Sequence, residues 1–347
     1  MGILSRDKFR LNYFNRLVLT INLLVLFIAY SIYLNSIFKP SEIPYFNFIS
    51  IGYPILFLVV VAFLFYWLLF SWRHFILVTI LSLGAFYPMY LSYPVKNISK
   101  QVEGDANLSV MSFNTHGFRA DGTSELIENN LADIMLLQES RQKQQKNWSE
   151  KKLDHYYKEY FGLLTIYSKY PIIKTNVIES TANTGAGMGA YADIDLGYDT
   201  IRVINLYMEP MYIEKALVKD VITSDTAEEI EETSKKLETK LVKGMVMHQS
   251  QIEELIPFIR RSPHPVILGS DLNSTPLSYE YLQISKYLSD SYIQAGEGNG
   301  TTFHGFKFPI RIDYLFHSKE LEVIDAKVIR KKFSDHFPVI VNYKVHK

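Results

Sequence analysis

Hydrophobic residues follow two regimes along this chain, and the change falls near residue 95. Before it come three charge-free apolar stretches, at about 17–38, 48–70 and 75–93. Each is long enough for a helix to cross a hydrocarbon layer of roughly 30 Å. Tyr45, Tyr66, Trp67, Trp72, Tyr90 and Tyr93 gather near the ends, where amphipathic rings favour the membrane–water boundary. A signal peptide would account for the first stretch alone, and no A-x-A-like cleavage site follows it. The pattern predicts an anchor over 1–94 built of three transmembrane helices.

Residues 95–106 are polar and aperiodic and read as a linker. From 107 to 347, short apolar runs alternate with turns and amphipathic segments. Strands are predicted at 108–113, 134–138, 163–168, 189–195, 201–207, 265–269, 311–316 and 337–343, and helices at 124–131, 228–261 and 277–287. Such interleaving indicates an α/β or α+β domain, strands buried under helices. Within 224–243, Glu231/Lys235 and Glu232/Lys236 stand four apart with the acid first, the favourable order on a solvated helical face. The more apolar segment 208–218 either rims a site, touches the membrane or packs in the ordinary way.

Charge sharpens this division. The chain is neutral overall, with 36 basic and 36 acidic residues. Residues 1–100 hold 8 Lys/Arg against 2 Asp/Glu, so the remainder carries 28 against 34, a net of −6. An acidic domain lacks the broad basic surface that sequence-independent grip on a phosphate backbone requires. Arg6, Lys8, Arg10 and Arg16 precede the first span, and Arg73 and His74 lie between the second and third. The positive-inside rule places both in the cytoplasm, and three crossings then put the C-terminal domain outside it. There is no cysteine, which excludes disulfides, thiolate catalysis and zinc–thiolate sites.

Certain polar residues fall where apolar strands end. LSVMSFN ends on Asn114, DIMLLQE on Glu139, VINLY on Tyr207, and VILGSDLN on Asp271 and Asn273. RIDYLF carries Asp313 within a strand, and FSDHFPVIV sets Asp335 and His336 just before another. Singly, each reads as a turn former or a packing histidine. Together they are harder to dismiss, because carboxylates are rarely buried without a partner or a metal.

These segments, FNTHG, LLQES, YSKYPI, INLY, GSDLNSTP, RIDYLF and SDHFP in that order, resemble the endonuclease/exonuclease/phosphatase superfamily, in a membrane-anchored bacterial-type member. The resemblance runs from about 107 to 345. It implies a four-layer sandwich of two packed β-sheets flanked by helices, and hydrolysis of a phosphoester by single-step attack of water. It also implies Mg²⁺ or Mn²⁺ on Glu139, with Asn114 and Asp335 beside it. Asp271 would orient or deprotonate the water, Asn273 would bind phosphate, and His336, held by Asp313, would donate to a non-bridging oxygen. Tyr207 stands where many members have histidine, and its hydroxyl can still donate to phosphate. His116, where the nuclease branch often carries an acid, either touches phosphate or packs. His304 and Arg311 are further candidates for contact with an anionic substrate, and a surface position also suits His304.

The expected protein is thus a phosphodiesterase or phosphatase of the bacterial inner membrane, its catalytic domain extracytoplasmic. Its partners would be the bilayer and a lipid-derived, small-molecule or nucleic-acid phosphoester. The alternatives are a surface nuclease, disfavoured by the −6 balance, and an inactive membrane-tethered scaffold, disfavoured by the presence of Glu139, Asp271 and His336. A transporter role is disfavoured because no ionisable residue lies in any span. Substrate choice would lie in the loops 114–124, 179–190, 208–226 and 296–309.

Overall fold

Apolar sequence on every side, as in 48–70, leaves a helix no polar face, and the structure answers with an N-terminal bundle whose outer surface stays apolar. The structure is a computed structural model that describes residues 11–94, 106–179, 187–211, 226–296, 298–305 and 309–346. The bundle consists of α1 (Tyr13–Tyr30), α2 (Tyr45–Phe70), α3 (Trp72–Ser82) and α4 (Phe86–Ser92). Three segments are long and apolar enough to cross a membrane: Tyr13–Ser36, Tyr45–Phe70 and Trp72–Ser92. Phe27, Leu58, Phe65 and Leu69 are exposed on them. The third is not one continuous α-helix, because a 3₁₀ turn over Leu83–Ala85 joins α3 to α4. Tyr30 explains the interruption: a Cβ at Gly84 would come within 2.6 Å of its ring, and its hydroxyl accepts from the Gly84 N–H.

The remainder runs β1 (Leu108–Asn114), α5 (Thr123–Glu128), β2 (Ile134–Gln138), α6 (Gln142–Lys152), β3 (Tyr157–Phe161), β4 (Leu164–Ser168), β5 (Ile172–Ile178), β6 (Met188–Asp195) and β7 (Thr200–Tyr207). After the long helix α7 (Ala227–Arg260) come β8 (Val266–Asp271), α8 (Tyr279–Ser285), β9 (Ser289–Asp290), α9 (Ser291–Ala295), β10 (Asp313–His317), β11 (Leu321–Val328) and β12 (Val339–Val345). The expected strands and helices are present with ends shifted by a few residues. Four strands (β3, β5, β9 and β11) and the helices α6 and α9 had no counterpart in the sequence pattern. Residues 95–105, most of the expected linker, and 212–218 of the apolar segment lie outside the described residues.

The strands form two six-stranded sheets, β11-β12-β1-β2-β4-β3 and β5-β6-β7-β8-β10-β9. They pack face to face with helices outside, the four-layer sandwich expected. Val110, Ile134, Leu136 and Ile166 of one sheet meet Ala192, Val203, Ile267 and Leu315 of the other in one buried cluster. Gly269 sets the spacing locally, since a Cβ there would lie 2.6 Å from Leu136. Next to it a polar seam crosses between the sheets. The Gln138 amide donates to Asn205 Oδ1 at 2.7 Å, and the Asn205 amide donates to the carbonyls of Leu137 and Thr165. Both amide NH₂ groups and the Asn205 oxygen are paired in this way, as buried amides require, while Gln138 Oε1 is buried without a partner.

Each sheet has one parallel pair, β1 with β2 and β7 with β8. The C-terminal ends of all four, and the N-terminal starts of antiparallel β10 and β12, therefore lie on one edge of the sandwich.

The bundle docks on the domain at a single end, where Phe48 and Ile51 of α2 pack on Leu241 and Met245 of α7 and polar contacts fix the fit. Asn35 donates to the Leu277 carbonyl, and Asn47 both donates to Glu280 and accepts from the Tyr279 N–H. Lys39 pairs with Glu253 at 2.8 Å. Glu280 is fully buried and pairs with His248, whose Nδ1 is 2.9 Å from Glu280 Oε1 and whose Nε2 faces the Glu209 carbonyl. With an acceptor at each nitrogen the imidazole is held as a cation. Burial pushes its pKa down, but the hydrogen bond and charge of Glu280 outweigh burial and raise it.

Removing one partner of such a pair leaves an uncompensated buried charge. Glu280→Ala should therefore destabilise the full-length protein in detergent by about 3–5 kcal/mol. A His248→Phe/Glu280→Met double variant should recover most of that loss. Thermal unfolding of the three proteins checks this, and a double variant no better than Glu280→Ala would contradict it.

Candidate active site

Where the parallel strands end, the backbone must turn away, and side chains at that edge are aimed into the crevice between the sheets. Asn114 closes β1, Tyr207 closes β7, and Asp271 closes β8 in register with both Tyr207 and Asp313. Glu139 follows β2 directly with φ +48°, a conformation also taken by His116 and Asn273. Left-handed backbone in non-glycine residues is costly and concentrates where a side chain must point in a set direction.

Asn114 is the hub. Its amide donates to Glu139 Oε1 at 3.1 Å and to Asp271 Oδ2 at 2.9 Å, and its Oδ1 accepts from the His116 N–H. Tyr207 donates its hydroxyl to Glu139 Oε1 at 2.9 Å. Asp271 is completely buried and also accepts from the Asn273 N–H at 2.9 Å. The Asn273 amide donates to the Met208 carbonyl.

Behind Asp271 lies a chain of buried charge. His336 Nδ1 is 2.9 Å from Asp313 Oδ2, and its Nε2 points toward Asp271 Oδ2 at 3.8 Å. Thr302 orients Asp313 by accepting from its N–H, and Phe303 lies against the imidazole with ring centroids 4.8 Å apart. Burial pulls the His336 pKa down, but Asp313 and Asp271 overcome it and hold the ring as a cation, with a pKa raised to about 10. Burial raises Asp271 to about 7, opposed by the positive charge of His336.

Glu139 and Asp335 make a second, more open group. Their side chains are 28% and 36% exposed, and His116 Nδ1 lies between them, 3.3 Å from Asp335 and 3.7 Å from Glu139. Arg119 donates to His116 Nε2 at 3.2 Å, so the ring proton sits on Nδ1, facing the carboxylates. Two hard, water-accessible oxygen donors are what a divalent cation takes with several waters retained, the His116 N–H giving up its place between them. Asp271, Asp313 and His336 also bring ligand atoms within 4.8 Å of one another. There, however, the histidine already supplies the positive charge and its Nδ1 is committed to Asp313. The open pair is the better cation site.

The structure thus brings nine of the eleven expected residues to one crevice. His304 sits at its edge, but its Nε2 is engaged with the Ser334 carbonyl and its ring lies on Phe337. Arg311 is a correction: it is buried in an ion pair with Asp290 and donates to the Leu91 carbonyl, so its guanidinium is already committed. Arg119 is the residue that sequence reasoning missed. The only signal for it was a position five residues after Asn114 in a loop already expected to matter. Residues 180–186, 212–225, 297 and 306–308 of the other expected loops lie outside the described residues.

A model described as the endonuclease/exonuclease/phosphatase family matches residues 111–336, and one described as a domain of unknown function matches 15–93. No curated protein matches the chain. Among solved structures, an endonuclease/exonuclease/phosphatase from Bacteroides vulgatus is similar at 15% identity with a TM-score of 0.52, covering 70% of this chain and 100% of its own. D. rerio TDP2, complexed with a single-strand DNA product, is similar at 12% identity with a TM-score of 0.52 and the same coverage. At such identity the likeness is one of fold.

The charge cluster carries a pH signature. Both His336 and Asp271 have folded pKa values above their unfolded ones, so each contributes stability when protonated. The His336 share is fully present below about pH 6.5 and is lost as pH rises toward 10. The Asp271 share is present below about pH 4 and is lost by about 7. Between pH 7 and 10 the melting temperature in EDTA should fall, and Asp313→Asn should flatten that fall. An equal slope in both proteins would refute the assignment.

Proposed function

Because the chain belongs to the endonuclease/exonuclease/phosphatase family, we propose that it is a membrane-anchored, divalent-metal-dependent phosphoester hydrolase using single-step attack of water on phosphorus. The observation that carries this reading is the buried Asp313–His336–Asp271 chain set beside the open Glu139–Asp335 pair. Glu139 and Asp335, with Asn114 and His116 beside them, would hold Mg²⁺ or Mn²⁺, and the bound ion would offset charge on the phosphate oxygens.

The remaining work falls to this chain's own side chains. Asp271, half ionised near neutrality, accepts a proton from the attacking water, and a base is most effective when its pKa lies near the working pH. The Asn114 amide and the Asn273 N–H fix the direction of its lone pairs. As the oxygen–phosphorus bond forms and the ester bond breaks, charge grows on the non-bridging oxygens. The His336 Nε2–H meets that charge, kept in place by Asp313. Tyr207, the Asn273 amide and Arg119 line the approach for the phosphate group.

The anchor adds location. Arg16 and Arg73 lie toward one end of the bundle, where the Tyr66 hydroxyl bonds Asn15, and the domain docks at the other. With the basic end in the cytoplasm, the domain is extracytoplasmic on a bacterial inner membrane. The crevice then lies close to the bilayer: Asn273 is four residues from Leu277, whose carbonyl is held by Asn35. That proximity favours a lipid-derived phosphoester over nucleic acid.

Full-length protein should hydrolyse bis(p-nitrophenyl) phosphate with Mg²⁺ or Mn²⁺ and stop in EDTA. Glu139→Gln and His336→Ala should each lose about 10²-fold or more, the scale of losing a principal electrostatic stabiliser. Tyr207→Phe should lose less, since the Asn114 amide still holds Glu139. Absence of turnover together with absence of divalent-ion binding by calorimetry would leave a binding module instead.

A further inference from the structure

At the opposite end of β8 from Asp271, a cavity of about 740 Å³ is bounded by the ends of α7 and α8 and the turn between β10 and β11. Arg260, His264, Lys286 and Lys319 line it against a single acid, Glu320. Among the described residues, no carboxylate lies within ion-pair distance of Arg260, Lys286 or Lys319. Some of this charge complements the helix C-termini, each worth about half an elementary charge at most. Three full positive charges exceed what Glu320 and two helix ends can balance. All three side chains are exposed, and together they leave an excess of positive charge around the cavity that favours an anion.

Its position narrows the anion further. Lys286 Nζ reaches the carbonyl of Ser36, the last residue of the first membrane-length segment. Lys39–Glu253 and the Ser41 N–H to Gln249 lay α7 along the same stretch. The guanidinium of Arg260 is 5.8 Å from the ring of Tyr287, a half-exposed aromatic of the kind that suits a membrane interface. The Lys286 wall of the cavity therefore lies beside the end of the first membrane-length segment, where headgroups would lie on the anchoring reading. Five residues of strand at about 3.3 Å each keep it roughly 16 Å from Asp271.

We propose that this cavity is a second site, which binds a phosphate group, supplied in the bilayer by the headgroup of an anionic phospholipid. Basic pockets at membrane-facing surfaces bind such headgroups by charge, and the phosphate would bridge Arg260 and Lys286. The site is independent of hydrolysis; only the lipid source rests on the anchoring reading.

The test uses full-length protein in neutral detergent with EDTA, melted in the presence of phosphatidylglycerol, phosphatidylcholine, inorganic phosphate or glycerol phosphate. Phosphatidylglycerol should raise the melting temperature by about 2–4 °C or more, and phosphatidylcholine should not. The rise should vanish in Arg260→Gln/Lys286→Gln and shrink in Lys319→Gln, a milder change that guards against misfolding of the double variant. His336→Ala should keep the full rise, so a failed catalytic reading would leave this result standing. A rise with inorganic phosphate or glycerol phosphate as large as with the lipid would assign the site to soluble phosphate. An equal rise with phosphatidylcholine, or one that survives in both pocket variants, would overturn the proposal.

Discussion

Two carboxylates and an imidazole, desolvated together at one edge of a β-sandwich, set the terms for the rest of this structure. An isolated buried carboxylate costs several kcal/mol, and the same burial pushes the Asp271 pKa up. The surrounding architecture supplies what offsets it. The parallel pairs bring Asn114 and Asp271 together from different sheets, β10 starts with Asp313 opposite Asp271, and the approach to β12 delivers His336 between the two acids. Each of these groups comes from a different strand or from the approach to one, so the cluster exists only when both sheets have formed and packed. The Gln138–Asn205 seam beneath it is a second place where polar pairing fixes how the sheets meet. Together they specify one register, since a slip of one residue would turn every paired group to the opposite face.

The same logic governs the junction with the bundle. Apolar packing at this junction, as of Phe48 and Ile51 on Leu241 and Met245, is non-directional, so polar contacts decide where the bundle sits. Asn35 and Asn47 perform that role here, one at the end of the first apolar segment and one at the start of the second. Their partners, the Leu277 carbonyl, the Tyr279 N–H and Glu280, all lie in the stretch that leaves β8 and enters α8. That stretch begins with Asp271 and Asn273. The segment that shapes the crevice is thus the one that holds the anchor.

Much of this was legible in the residues, and the failures share a cause. The strands that sequence periodicity found are mostly the interior ones, where burial on both faces enforces apolar runs. The four it missed, β3, β5, β9 and β11, are the four outer edges of the two sheets. Edge strands carry charge that blunts pairing with other chains, and YKEYF, IIKTNVI and LEVIDAKV read accordingly as mixed polar sequence. The strand-end residues were legible because polar groups interrupt apolar runs there. Arg311 misled for the complementary reason: its partner Asp290 is 21 residues away in the chain, and nothing local distinguishes a cation bound for a buried ion pair from one bound for substrate. The docking asparagines gave no signal either, because uncharged amides barely disturb a hydropathy pattern.

It follows that the bundle is more than an appendage to the domain. In this fold the Arg311 guanidinium, already committed to Asp290, also donates to the Leu91 carbonyl at the end of α4, while Asn47 completes the shell of the buried Glu280–His248 pair. Take the bundle away and Glu280 loses a donor, the Tyr279 N–H and Leu277 carbonyl lose their partners, and Arg311 loses an acceptor. Polar groups that are buried and then orphaned cost about 1–3 kcal/mol each. The domain and the bundle are therefore stabilised jointly, and the orientation of the crevice relative to the bundle is set by side-chain hydrogen bonds. The crevice is thus held at one angle to the three membrane-length helices, because the groups that fix that angle are the ones that would otherwise be buried without partners.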